Sequence, residues 1–185
     1  SQKLFKTLYP NHVYGRPTDG TISTVTGLNI NDLRTFVQNR LAKNNLIIGV
    51  VGDITPIELG KHLDAIFGKL PAKATSWEIQ KIDPVSKGQV IVIDRDIPQS
   101  SILFAEKGVM RGDPDFYAAY ILNHILGGGS FTSRLYAEIR EKRGLVYSVG
   151  TRLYPLDNST LILGSAGTAN KRAHETLSVI KAEWD

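Results

Sequence analysis

The 185-residue sequence has no cysteine, so no disulfide staples the fold, and the chain bears no mark of an oxidising or a reducing compartment. No apolar run approaches the roughly 20 residues that a membrane-spanning helix needs. The first ten residues, Ser1 to Pro10, lack the charged-then-apolar layout of a signal peptide. There is also no block of one charge sign. Lys and Arg number 22 against 18 Asp and Glu, for a net charge of +4 and a sequence pI near 9.3. The basic residues are scattered among acids, as in Arg140-Glu141-Lys142-Arg143, and no nucleic-acid motif accompanies them, which sets nucleic-acid binding aside. What is there is ordinary for a globular protein: 42% hydrophobic and 22% charged residues, arranged in periodic segments that fit neither a disordered nor a fibrous class. The length suffices for one or two domains with a sizeable core.

Familiar catalytic signatures are missing as well. The four histidines, His12, His62, His124 and His174, stand apart from one another. None belongs to H-E-x-x-H or to the inverted H-x-x-E-H, the helical spacings that place two imidazoles and a carboxylate on one face. Each reads as a surface or packing residue. No G-x-S-x-G elbow accompanies the serines, which argues against a serine nucleophile. Gly127-Gly128-Gly129 lacks the Lys-Ser/Thr of a phosphate-binding loop and the preceding strand of a dinucleotide fold. It reads instead as a tight helix-to-helix turn with positive backbone torsions.

Hydrophobic periodicity outlines the elements. Asn29 caps a helix with Asp32 three residues on, and Leu33, Phe36, Val37 and Leu41 share its apolar face. The run Leu46 to Val51 reads as a buried strand. Thr55 and Pro56 open a second helix with Leu59, Leu63, Ile66, Phe67 and Leu70 inward, stopped by Pro71. Between Ala72 and Gly88 the pattern lapses, as at a domain boundary. Gln89 to Asp94 and Ser101 to Ala105 read as strands. A helix follows Asp113-Pro114, and another, capped by Ser130 or Ser133, carries a Glu138–Lys142 pair and ends at Gly144. Val146 to Leu153 and Thr160 to Gly164 flank a turn at Asp157-Asn158, and Asn170 caps a last helix that reaches Asp185 without a stop signal. The expectation is an α+β fold, helices packed on mostly antiparallel sheets, in two incomplete domains.

The most informative stretch is Leu126 to Val149, LGGGSFTSRLYAEIREKRGLVYSV. It resembles the second-domain signature of the pitrilysin, or insulinase-like, inverted-zincin metallopeptidases, a family that includes the mitochondrial processing peptidases and zinc-less bacterial paired subunits. Two upstream segments add to the resemblance. Pro10 to Pro17, PNHVYGRP, is similar to the family's PNHPYGRP with Val13 where proline is usual, and Asn45 to Ile54, NLIIGVVGDI, is similar to its strand before a helix. Essentially the whole chain is covered, with three motifs in the family's order.

The resemblance implies a pitrilysin-like fold with residues 1–74 as the rear of a first peptidase-like domain, 75–88 as a linker and 89–185 as the front of a second. It implies that peptides are enclosed between two such units, with zinc in one of them, its ligands drawn from H-x-x-E-H and a later glutamate upstream of this segment. This chain is then expected to hold no metal and to be inactive alone, with zinc in the complete enzyme or in a zinc-bearing partner subunit. The implied substrate-binding residues are Arg140 and Tyr147, seven apart, whose guanidinium and phenol are donors suited to a peptide carbonyl or an oxyanion. A structural alternative has Arg140 complementing a helix C-terminus and Tyr147 packed on the sheet. Arg134 reads as structural. Three functions stand: a substrate-binding subunit without its own zinc, the rear part of a catalytic subunit, or a structural core-type subunit. Bacterial relatives of the paired kind imply the cell envelope or periplasm, and the open sheet edges that truncation would leave in incomplete domains are expected to favour a homo-oligomer that is an artefact of the cut.

Overall fold

The computed structural model describes residues 1–85 and 88–184. Ser86 and Lys87, in the expected linker, and Asp185, at the end of the expected last helix, lie outside the described residues. The chain divides into two compact units, one formed by Ser1–Pro17 with Ile79–Asp185 and the other by Thr18–Glu78. The helices are α1 (Gln2–Leu8), α2 (Ile22–Thr26), α3 (Ile30–Arg40), α4 (Pro56–Phe67), α5 (Phe116–Asn123) and α6 (Ala173–Trp184). The strands are β1 (Gln99–Lys107), β2 (Val146–Pro155) and β3 (Thr160–Ala169). Among the described residues no helix is long and apolar enough to cross a membrane.

The larger unit is built on one sheet in the order β1-β3-β2, with both pairings antiparallel. Alternation along β3 sends its side chains to opposite faces. Ala166 lies opposite Ile102 and Val149 in the ladder, and this face packs with Leu135, Ile139, Leu145, Val146 and Ile180. Leu161 and Leu163 serve the other face, with Ala105 and Tyr154 from the neighbouring strands and Leu8 and Tyr9 from the N-terminal segment. Leu135, Ile139 and Leu161 are fully buried, each contributing about 1.5–3 kcal/mol by leaving water. Gly164 is required beneath Phe104, whose ring occupies the space a Cβ would need. That ring meets Trp184 edge-on, with centroids 5.3 Å apart, and the indole N–H donates to Glu106 at 2.6 Å.

The N-terminal segment is tied to the β2–β3 turn. Tyr9 is buried and its hydroxyl bonds Ser159 Oγ at 2.8 Å. Asn158 N–H donates to the Tyr14 hydroxyl at 3.1 Å, and Ile82 N–H to the Asn158 carbonyl at 3.0 Å. His12 is used locally, its Nδ1 accepting from Tyr14 N–H and its Nε2 bonding the Gln80 carbonyl at 3.1 Å.

The smaller unit is helical and capped as its sequence predicts. Asn29 Oδ1 accepts from the Asn31 and Asp32 amides, and Asp32 returns a bond to Asn29 N–H. Thr55 and Glu58 form the same reciprocal box, and the Thr55 hydroxyl and amide hold the Glu58 carboxyl below its usual range. The Arg40 guanidinium lies 3.1 Å from the Trp77 ring centroid and donates to the Thr75 carbonyl.

Several expectations are corrected. Leu46–Val51 and Gln89–Asp94 pair with no strand among the described residues, and Ile47, Val51 and Val92 stand in the open. An apolar run becomes a strand only beside a partner that takes up its amides and carbonyls, and among the described residues neither run has one. The apolar stripe of α3 forms but stays exposed at Leu33, Phe36 and Val37, because no facing layer exists among the described residues. The last helix opens with a 3₁₀ turn at Asn170–Arg172 whose N-cap is Ala169, and among the described residues the Asn170 side chain bonds no amide of that helix. That side chain instead bridges Ser100 Oγ and the Ile97 carbonyl. The β2–β3 hairpin is longer than its predicted strands at both C-terminal ends.

Candidate functional site

The site is carried by the segment from Gly127 to Ser148. α5 does not stop at the glycines but continues as a π-helical turn over His124–Gly128, with Gly129 N–H donating to the His124 carbonyl. The expected positive torsions are absent there. They occur at Gly20, Gly88 and Gly144, and here at Ser130, φ 51°. The glycines are needed for close approach instead. A Cβ on Gly127 would lie 2.5 Å from Thr151 Oγ1 and 2.8 Å from the Thr151 amide on β2, and one on Gly128 would strike the Asn123 side chain. Ser133, fully buried, donates to the Ser130 carbonyl and holds the strained residue in place.

A second π-helical turn spans Tyr136–Glu141, anchored by the buried Leu135 and Ile139 on either side of Tyr136. π-turns recur at functional sites because they re-aim side chains within a helix. The turn ends in an αL cap: Gly144, at φ 57°, donates its N–H to the Arg140 carbonyl at 2.8 Å, and Leu145 N–H reaches the Ile139 carbonyl at 2.9 Å. Arg172 staples the same turn, donating to the carbonyls of Gly144 and Arg143 at 2.8 and 3.0 Å. Thr168 Oγ1 takes the next carbonyl, that of Leu145, at 2.7 Å, and is itself bonded by Thr176.

This turn brings Arg140 and Tyr147 together. The guanidinium carbon lies 5.6 Å from the Tyr147 ring centroid and 4.8 Å from that of Tyr136, whose hydroxyl accepts from Arg140. Tyr147 does not pack on the sheet. It is 81% exposed and sits at a β-bulge: Val146 faces Thr168 and Ser148 faces Gly167, so Tyr147 is the extra residue. Arg140 is half-buried, and among the described residues no carboxylate bridges it. The neighbouring acid, Glu138, is committed to Lys142 and Arg143, whose hydrogen bonds hold its carboxyl below the usual range, Lys142 contributing most. Arg134 pairs with Glu183 at 2.8 Å.

Sequence reasoning missed Tyr136 and the bulge. The first is signalled by the four-residue spacing of Tyr136 and Arg140, the second by the odd spacing of the two core residues Val146 and Val149, which a regular strand would send to opposite faces. Among the described residues no three or more of His, Asp and Glu come together in a group that could hold an ion.

Comparison with known proteins agrees with the motifs. The family model described as the peptidase M16 inactive domain matches residues 27–185. The chain is 29% identical to an uncharacterized zinc protease of Streptomyces coelicolor, over 97% of this chain and 40% of that protein. It is 28% identical to the uncharacterized zinc protease YmxG of Bacillus subtilis, over 97% of this chain and 45% of that one. It therefore spans less than half the length of these relatives. Among solved structures, a peptidase M16 inactive domain from Pseudomonas fluorescens superposes with a TM-score of 0.88 at 29% identity, covering 99% of this chain and 44% of that one. The α+β class expected of a pitrilysin-like chain, helices with an antiparallel sheet, is the one observed, and the chain belongs to the peptidase M16 inactive domain family.

Proposed function

We propose that this chain is a substrate-binding region of a zinc metalloendopeptidase, without a zinc site of its own, in which Arg140 and Tyr147 hold the peptide. The observation that carries this reading is an arginine kept in place without an acid. Its guanidinium lies between two tyrosines, has no carboxylate partner among the described residues, and neighbours the exposed phenol of Tyr147. A guanidinium offers five N–H donors and a phenol one more. Aimed at a peptide carbonyl, they stabilise the negative charge that develops on its oxygen during hydrolysis, and more strongly where water is excluded. The metal that activates water is supplied by a zinc-bearing partner subunit of the same family. In the assembly purified with that partner, Arg140→Ala or Tyr147→Phe is expected to lower turnover of fluorescein-labelled casein about 10²-fold. Wild-type turnover in both variants would remove the role.

The names of the longer relatives support a second reading, in which this chain is the rear part of a catalytic subunit. Elemental analysis of the full-length parent separates the two. One zinc per chain supports the second reading, and none supports the first.

A further inference from the structure

We infer that Tyr136 is the positioning residue for Arg140, holding the guanidinium toward Tyr147 while leaving its charge unspent. The functional consequence rests on the substrate-binding reading of Arg140. The geometric part stands on its own observations. Tyr136 is buried, and Leu135 just before it and Ile139 three residues on are fully buried, so its backbone has little freedom. Four residues separate it from Arg140 within the π-helical turn, where Lys142 N–H reaches back to the Ala137 carbonyl at 3.0 Å. Widening the helix in this way brings side chains four apart closer to one line along the axis than in an α-helix. The Tyr136 hydroxyl accepts an Arg140 N–H, and the guanidinium carbon stays 4.8 Å from its ring centroid. Phe131 meets the same ring edge-on, with centroids 5.0 Å apart at 78°, and limits its tilt.

The choice of a phenol matters chemically. A carboxylate at this position would hold the arginine more firmly, but it would neutralise the charge and occupy two donors at once. A neutral hydroxyl takes one of five N–H groups and leaves the others for a ligand. The nearby Glu138 is diverted to Lys142 and Arg143, so the tyrosine is what orders Arg140.

The test uses Tyr136→Phe, which keeps ring and volume and deletes only the hydroxyl. In the 185-residue chain labelled with ¹⁵N-arginine, rotation about the Arg140 Nε–Cζ bond, measured by NMR exchange, is expected to speed up about fivefold, the factor carried by one ordinary hydrogen bond. Unchanged rotation overturns the inference. In the assembly with its zinc-bearing partner, fluorescein-labelled casein supplies a second readout. Tyr136→Phe is expected to lower kcat with KM held, and to have no further effect in an Arg140→Ala background. Equal losses in both backgrounds would show that Tyr136 acts apart from Arg140 and would also overturn the inference. If Arg140→Ala alone leaves turnover intact, the substrate-binding reading fails, and the rotation rate still decides whether Tyr136 positions Arg140.

Discussion

Replacing Gly144 with alanine isolates the backbone term that holds the site together. Gly144 has φ 57°, and nothing lies within 4 Å of where its Cβ would stand, so the substitution meets no steric obstacle and costs only the left-handed conformation. For an L-residue that conformation costs about 1–2 kcal/mol. Alanine also restricts the unfolded chain, which returns about 0.4–1 kcal/mol. The difference, about 1 kcal/mol, corresponds to a midpoint lowered by about 2–4 °C for a chain of this size. Asparagine tolerates the left-handed region better, so Gly144→Asn should recover much of the loss. Urea denaturation of the three proteins, followed by circular dichroism, measures the order Gly, then Asn, then Ala. Alanine as stable as glycine, or asparagine worse than alanine, would refute the reasoning, because either outcome means the turn does not depend on its torsion.

Three further outcomes follow from the same packing. Thr168→Val should destabilise by about 1–3 kcal/mol in urea titration, since it strands the Leu145 carbonyl and the buried Thr176 hydroxyl. Ile139→Ala, at a fully buried position of the sheet core, should cost about 2–5 kcal/mol in the same assay. Burial raises the Tyr9 phenol above its usual range, the Ser159 bond only partly opposing this. Its folded pKa is therefore higher than its unfolded one. The corresponding stability is complete below an unfolded pKa of about 10 and is lost as pH rises from there through the folded value. Unfolding midpoints measured from pH 9 upward should fall, and Tyr9→Phe should flatten that fall.

What could be read in the sequence was mostly short-range. The caps at Asn29 and Thr55 are set by residues three apart, and their hydrogen bonds form as expected. The β2–β3 hairpin was legible because its turn and its alternation lie within one segment. Arg140 and Tyr147 could be placed near each other because only the Gly144 turn intervenes. Strand identity at Leu46–Val51 was not legible, since an apolar run is a strand only in the presence of a neighbour. The role of the triple glycine was misread for a different reason. Glycine serves both torsion and proximity, and only the position of Thr151, distant in sequence, shows that proximity is what Gly127 provides. The Tyr136–Arg140 pair escaped notice because its four-residue spacing looks like an ordinary helix face until the π-turn is seen.

The bulge in β2 makes Tyr147 dispensable to the architecture. Without it, Val146, Ser148 and Val149 would pair in unbroken succession with Thr168, Gly167 and Ala166, and both valines would keep the face they already occupy. A one-residue deletion, which in an ordinary strand would turn half the core outward, would here regularise the ladder. The shortened chain would keep its ladder and lose one phenol, the one beside the Arg140 guanidinium.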